Sequence, residues 1–170
     1  VESFQLINSH IQFNSVLQAI ELSVKPLNLT LSNITLGETF PLSLSYSLSE
    51  VKNNISLNSS LTANLLASED LTRFTLSEID NSYQVKAPNV TEKNINLNLE
   101  SNVSIDTKAE SVDIPSLLIS LNNLAITGQA NIRDYSENLS VNSNINISDF
   151  SLKALLESLG ITLPNMQSNE

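Results

Sequence analysis

The 170 residues contain no cysteine, so disulfides, thiolate metal sites and cysteine nucleophiles are all excluded. There is no tryptophan, one histidine and only three glycines. Turns must therefore be built from Asn, Asp and Ser. No phosphate-cradling glycine loop, Gly-x-Ser-x-Gly elbow or His-Glu-x-x-His motif can be found. Positive charge is equally scarce: eight Lys and Arg against 18 Asp and Glu leave a net charge of -10. Phosphate contacts need clustered basic side chains, so nucleic-acid binding is excluded, and electrostatic docking onto an anionic bilayer is disfavoured. No apolar run approaches the roughly 18 residues of a membrane-spanning helix. The chain opens on Val1 without a signal peptide or initiator Met, which reads as a boundary within a longer protein.

What the chain does have is alternation. Its hydrophobic content of 41% is mostly Leu, Ile and Val, enough for one folded domain over residues 1–170. In "FPLSLSYSL" the residues Phe40, Leu42, Leu44, Tyr46 and Leu48 occupy every second position, opposite Pro and Ser. That period of two is the pattern of a half-buried strand. It recurs over 27–31, 55–65, 95–105, 117–121, 124–132 and 139–147, with breaks expected at Asn122-Asn123, at 134–136 and before Pro115. Residues 68–79 carry both a helix-start signal and an alternating Phe74 and Leu76, and are read as strand. Strands in close succession without intervening helices predict an all-β, mainly antiparallel meander.

The exception is "ISDFSLKALLESLGITLP". Leu152, Leu155, Leu156 and Leu159 form a stripe at helical spacing, after Asp149 or Ser151 as N-cap. Gly160 stands where a left-handed cap is wanted, Ile161 can fold back on the last turn, and Pro164 forbids continuation. The spacing predicts a short helix over 151–159 and a disordered tail over 164–170. A sheet with one apolar face must cover it with a second sheet, with helices or with an apolar partner. A helix of about ten residues, roughly 15 Å long, caps one end and cannot roof many strands. The pattern alone leaves open whether the sheet folds into a sandwich with a dry core or stays an open apolar groove.

Catalytic and metal-binding candidates are weak. His10 has only Ser9 and Gln12 near it in sequence, and reads as a surface histidine. The acidic pairs Glu69-Asp70 and Asp106 with Glu110 lack a ligand cluster and read as solvated charge. No catalytic residue, metal or cofactor is assigned, and the chain is read as a non-enzyme. Asn-x-Ser/Thr triplets occur at Asn28, Asn33, Asn54, Asn58, Asn89, Asn102, Asn138 and Asn146. They would carry glycans in a eukaryotic secreted protein, but a chain rich in Asn and Ser generates such triplets by composition.

The closing "NINISDFSLKALLESLGITLP" resembles the C-terminal signature of the AsmA family. The matching positions are Phe150, Leu152, Leu155, Leu156, Leu159, Gly160, Ile161 and Pro164, with Lys153 where Arg is usual. Upstream, "LNLTLSNITLGETFPLSLSYSLS" and "LLISLNNLAITGQANI" are similar to other passages of the family. The resemblance implies the C-terminal periplasmic piece of a Gram-negative envelope protein, held in the inner membrane by an N-terminal helix absent from this sequence. It further implies kinship with TamB and the bridge-like lipid transfer proteins, whose curled sheets pass acyl chains along a concave apolar surface. The expected function is a periplasmic, non-enzymatic module that binds or transfers phospholipid acyl chains in outer-membrane assembly, with other envelope proteins as further partners. The expected groove lining is Leu42, Leu44, Tyr46, Leu48, Leu57, Leu97, Leu99, Val103, Ile105, Leu139, Val141, Ile145 and Ile147. The closing helix presents Phe150, Leu152, Leu155, Leu156 and Leu159. The competing reading is a structural or adhesive β-domain of a cell-surface protein, its apolar faces packed on each other and its Asn and Ser faces meeting partners.

Overall fold

A computed structural model describes residues 2–15 and 20–161. Wherever the sequence alternates, the chain is extended: β1 (Ser3–Ser15), β2 (Ile20–Ser32), β3 (Thr39–Glu50), β4 (Ile55–Ala67), β5 (Arg73–Lys86), β6 (Ile95–Asp106), β7 (Ser111–Leu121), β8 (Leu124–Arg133) and β9 (Ser140–Ile147). One helix, α1 (Leu152–Ser158), follows. Each strand pairs antiparallel with its sequence neighbour, giving a single nine-stranded sheet in the order β1 to β9. The first and last strands do not pair, so the meander is open at both margins.

Three boundaries differ from the sequence expectation. β1 lies in a stretch where alternation slips between Leu6 and Ser9, which hides the strand from a period-of-two reading. Residues 68–72 form a turn, closed by Leu71 N–H donating to the Ser68 carbonyl at 2.9 Å, and the strand begins only at Arg73. Pro115 does not end a strand; it sits inside β7 where the register shifts against both neighbours. That is where proline is tolerated, since a bulge leaves one N–H out of the ladder. The tail expected to be disordered lies outside the described residues.

Register shifts mark further bulges at residues 7–8 of β1, 25–26 of β2 and 77–79 of β5. Two of them share one device. Asn8, at φ 50°, donates its N–H to Asn28 Oδ1 at 2.8 Å, and Asn28 Nδ2 donates to Ser45 Oγ at 3.4 Å. Glu78, at φ 53°, donates its N–H to Asn102 Oδ1 at 2.9 Å, and Asn102 Nδ2 donates to Ser116 Oγ at 2.8 Å. In each case the N–H that the bulge expels is recaptured by an Asn on the next strand, which is tied in turn to a Ser on the third. Bulges add twist and bend the sheet locally.

Little of the protein is deeply buried. Among the described residues Phe40, Ala63, Ala67, Ala87 and Leu155 are the buried hydrophobic ones, and no side chain falls below 2% exposure. The chain exposes 11525 Å². A compact globule of this length exposes about 8,200 Å², roughly 3,000 Å² less. Among the described residues no second layer faces the sheet, so the sandwich with a dry core is not what this sequence forms.

Candidate functional site: the apolar sheet face

Cross-strand partners share a face, so the register sorts the expected lining directly. Leu42, Leu44, Tyr46 and Leu48 oppose Ala63, Leu61, Ser59 and Leu57 of β4. Leu57 and Ser59 then oppose Val85 and Tyr83 of β5. On β6, Leu97, Leu99, Val103 and Ile105 oppose Tyr83, Asn81, Leu76 and Phe74. The same face continues through Leu121, Ile119 and Val112 of β7 and Leu124, Ile126 and Ile132 of β8. It ends on Val141, Ile145 and Ile147 of β9, opposite Ile132, Gly128 and Ile126. Twelve of the thirteen expected lining residues thus lie on one face. The other, Leu139, precedes β9 and is 64% exposed in the connection.

The sequence reading omitted the share that β1 and β2 contribute. Leu22, Val24, Leu27, Leu29 and Leu31 carry the face from β3 to β2. Phe4, Leu6, Ile11 and Phe13 extend it to the margin, where Ile11 and Phe13 are each 55% exposed. The opposite face holds Ser, Thr and Asn, as in Ser43, Ser45 and Ser47 against Thr62, Ser60 and Asn58.

Gly128 marks a tight point in the face. A Cβ there would lie 3.0 Å from the Asn144 carbonyl oxygen and 3.5 Å from Ile145 Cγ1. Glycine is what lets β9 pack against β8 at this position.

The apolar face carries a hydrogen-bonded polar group near its centre. Tyr46, Ser59 and Tyr83 stand in one row across β3, β4 and β5, and Asn81 is the next residue of that face along β5. Ser59 Oγ donates to Asn81 Oδ1 at 2.9 Å, and Asn81 Nδ2 donates to the Tyr83 oxygen at 2.6 Å. Ser59 and Asn81 are buried, at 5% and 6% exposure, beneath the larger side chains around them. Burial and the nearby Tyr46 phenol push Tyr83 above the ordinary phenol range, with the Asn81 hydrogen bond opposing them. The group is a neutral donor at physiological pH.

The helix closes part of one end of the sheet. Ser151 is its N-cap, accepting from Ala154 N–H at 3.2 Å. At the other terminus Gly160 N–H donates to the Glu157 carbonyl at 3.1 Å and Ile161 N–H to that of Leu156 at 2.9 Å, with Gly160 at φ 77°. These bonds form a Schellman motif. Four contacts tie the helix segment to the connections after β5 and β7. The Thr91 hydroxyl donates to the Leu159 carbonyl, Lys93 Nζ to that of Glu157 at 3.1 Å, Asn122 Nδ2 to Ser158 Oγ at 2.8 Å, and Asn123 Nδ2 to the Ser151 carbonyl at 3.5 Å. Leu155 is buried and Leu156 and Leu159 are half-buried. Phe150 and Leu152 remain exposed, so only the inner part of the expected stripe seals against the sheet end.

The groups that resembled catalytic pairs have structural roles. Asp70 accepts from Lys108 Nζ at 2.9 Å, Ser68 Oγ at 2.7 Å and the Thr72 hydroxyl at 2.8 Å, joining the turns after β4 and β6. Asp106 caps its turn by accepting from the N–H of Lys108 and Ala109. Glu110 accepts from the Ser136 hydroxyl. The His10 Nε2 atom lies 3.0 Å from Ser23 Oγ on the polar face, with the pair exposed. Among the described residues no group of three His, Cys, Asp or Glu could hold a metal ion, and no helix is long and apolar enough to cross a membrane. Among the Asn-x-Ser/Thr triplets, Asn28 and Asn102 spend their amides on the bulges. The chain matches no protein-family model, no curated protein and no solved structure.

Proposed function

We propose that this protein is a non-enzymatic module that carries the acyl chains of phospholipids on the apolar face of its sheet, acting in the periplasm in support of outer-membrane assembly. The observation that carries this reading is the face itself. It runs over every strand of a nine-stranded sheet and meets no second protein layer among the described residues. Leaving such a surface to water costs about 25 cal/mol per Å² of apolar area, which an apolar ligand removes. Transfer along it needs no bond chemistry: acyl chains exchange bilayer for protein at similar apolar cost while head groups stay in water. The location and the envelope role rest on the resemblance of the closing segment to AsmA proteins, and the acyl-chain ligand rests on the face.

The test is organic extraction of the purified protein followed by mass spectrometry, with titration of an apolar dye into the delipidated sample. Co-purified phospholipid and dye binding displaced by lipid support the reading. An extract free of lipid together with a face that binds no dye defeats it, and leaves the adhesive β-domain as the better account.

A further inference from the structure

The polar group in the middle of the apolar face has an unspent hydrogen-bonding capacity. A phenol has one proton to donate and lone pairs to accept with. In the arrangement of this structure the Tyr83 oxygen accepts from Asn81 Nδ2, and Asn81 Oδ1 accepts from Ser59, which leaves the Tyr83 proton free to be donated. Among the described residues no protein acceptor takes the Tyr83 hydroxyl proton, and Tyr46 has no hydrogen-bond partner at its hydroxyl. The two side chains stand over the short Ser59, one strand to either side, with Leu27 and Leu97 continuing the row beyond them. Leu44, Leu48, Leu57, Leu61 and Val85 occupy the neighbouring positions. Two neutral donors set in an aliphatic surface favour a ligand that is apolar over most of its length and bears an uncharged or weakly solvated acceptor. Tyr46 and Tyr83 are only half-buried, and a lipid lying over them strips water from their hydroxyls, a penalty that an acceptor on the ligand relieves.

We infer that Tyr46 and Tyr83 form a donor pair that holds the acyl carbonyl of a lipid lying on the apolar face. Asn81 and Ser59 act as positioning residues. This rests on the lipid-carrying reading above and adds to it the atoms that fix where along the face the ligand stops. The acceptor of that kind is the ester carbonyl of a phospholipid, whereas a free fatty acid presents an ionised carboxylate at neutral pH. The row's central position places the carbonyl within the face, with acyl chain extending over the leucines beside it.

The experiment compares four ligands on the delipidated, full-length chain: a diacyl phospholipid, its diether analogue of equal chain length, a fatty acid, and an alkane. The diacyl and diether lipids differ chiefly in the carbonyls. The expected result is tighter binding of the diacyl than of the diether lipid, by roughly two- to tenfold per hydrogen bond made. The preference should shrink in Tyr83→Phe and in Tyr46→Phe and vanish in the double variant. Tighter binding of the fatty acid than of the diacyl lipid, lost in Tyr83→Phe and Tyr46→Phe, shows that the pair holds a carboxylate and overturns the ester carbonyl as its ligand. Circular dichroism checks the fold, and the single variants give the answer if the double variant does not fold. Equal binding of diacyl and diether lipids, unchanged by either substitution, overturns this inference while leaving the lipid-carrying reading intact. Failure of every ligand to bind overturns both.

Discussion

If nearly a whole sheet face stays wet in the folded state, unfolding must expose less new apolar surface than it does in a compact protein of equal length. The heat capacity of unfolding measures that directly. A typical 170-residue protein has a ΔCp of about 2.0–2.6 kcal/mol/K. The excess surface here is 11525 Å² set against the compact value of about 8,200 Å², or roughly 3,000 Å². Were all of that excess apolar, it would remove about 1.3 kcal/mol/K, and with ordinary surface composition about 0.4 kcal/mol/K. Taken from the midpoint of that range, about 2.3 kcal/mol/K, the expected ΔCp lies between about 1 and 1.9 kcal/mol/K. Differential scanning calorimetry of delipidated protein, repeated across pH to obtain ΔCp from the slope of ΔH against Tm, gives the number. Sedimentation run in parallel shows whether copies have paired and hidden the face. A monomer with ΔCp at or above the compact range refutes the single-layer account, because that surface would have to be buried somewhere.

Two further outcomes follow from particular contacts. Asn102→Ala removes both the acceptor for Glu78 N–H and the donor to Ser116, and should cost about 1–2 kcal/mol in urea unfolding. Asn28→Ala should cost less, since its bond to Ser45 is longer at 3.4 Å, and no loss in either variant would show that the bulges do not depend on these amides. Asp70 is held below the usual carboxylate range, first by Lys108, then by Ser68 and by the hydroxyl and N–H of Thr72. A depressed folded pKa means that its stabilisation is complete above the unfolded value near 3.9 and fades as pH falls below it. The stability difference between wild type and Asp70→Asn should then be constant above about pH 5 and shrink toward pH 2, and a pH-independent difference would contradict the assignment.

How much of this could be read from the residues depends on where alternation holds. In β3 and β6 the period of two runs cleanly, and those strands and their faces are legible. At bulges the period slips by one residue, and the signal disappears just where the backbone does something specific. This is why β1 was not anticipated and why Pro115 read as a stop. Nothing local announces that Glu78 takes φ 53°, because the cause is Asn102 on the next strand. The helix was legible end to end, since Ser151, Gly160 and Ile161 act through local hydrogen bonds. Which of its leucines seal the sheet end was not, because that depends on the loops after β5 and β7. The polar group around Tyr83 was half visible: Tyr46 stood in the expected lining, but its alignment with Ser59 and Tyr83 is a matter of register between strands.

Both outermost strands, β1 and β9, run in the same direction, and among the described residues no strand pairs with their outer backbone groups. An added hairpin continues such a ladder without altering what is already there, and each one widens the array by about 10 Å. The span of a protein built this way is therefore set by a simple count of repeats, so evolution or an engineer can match it to a gap between two surfaces by inserting or deleting pairs.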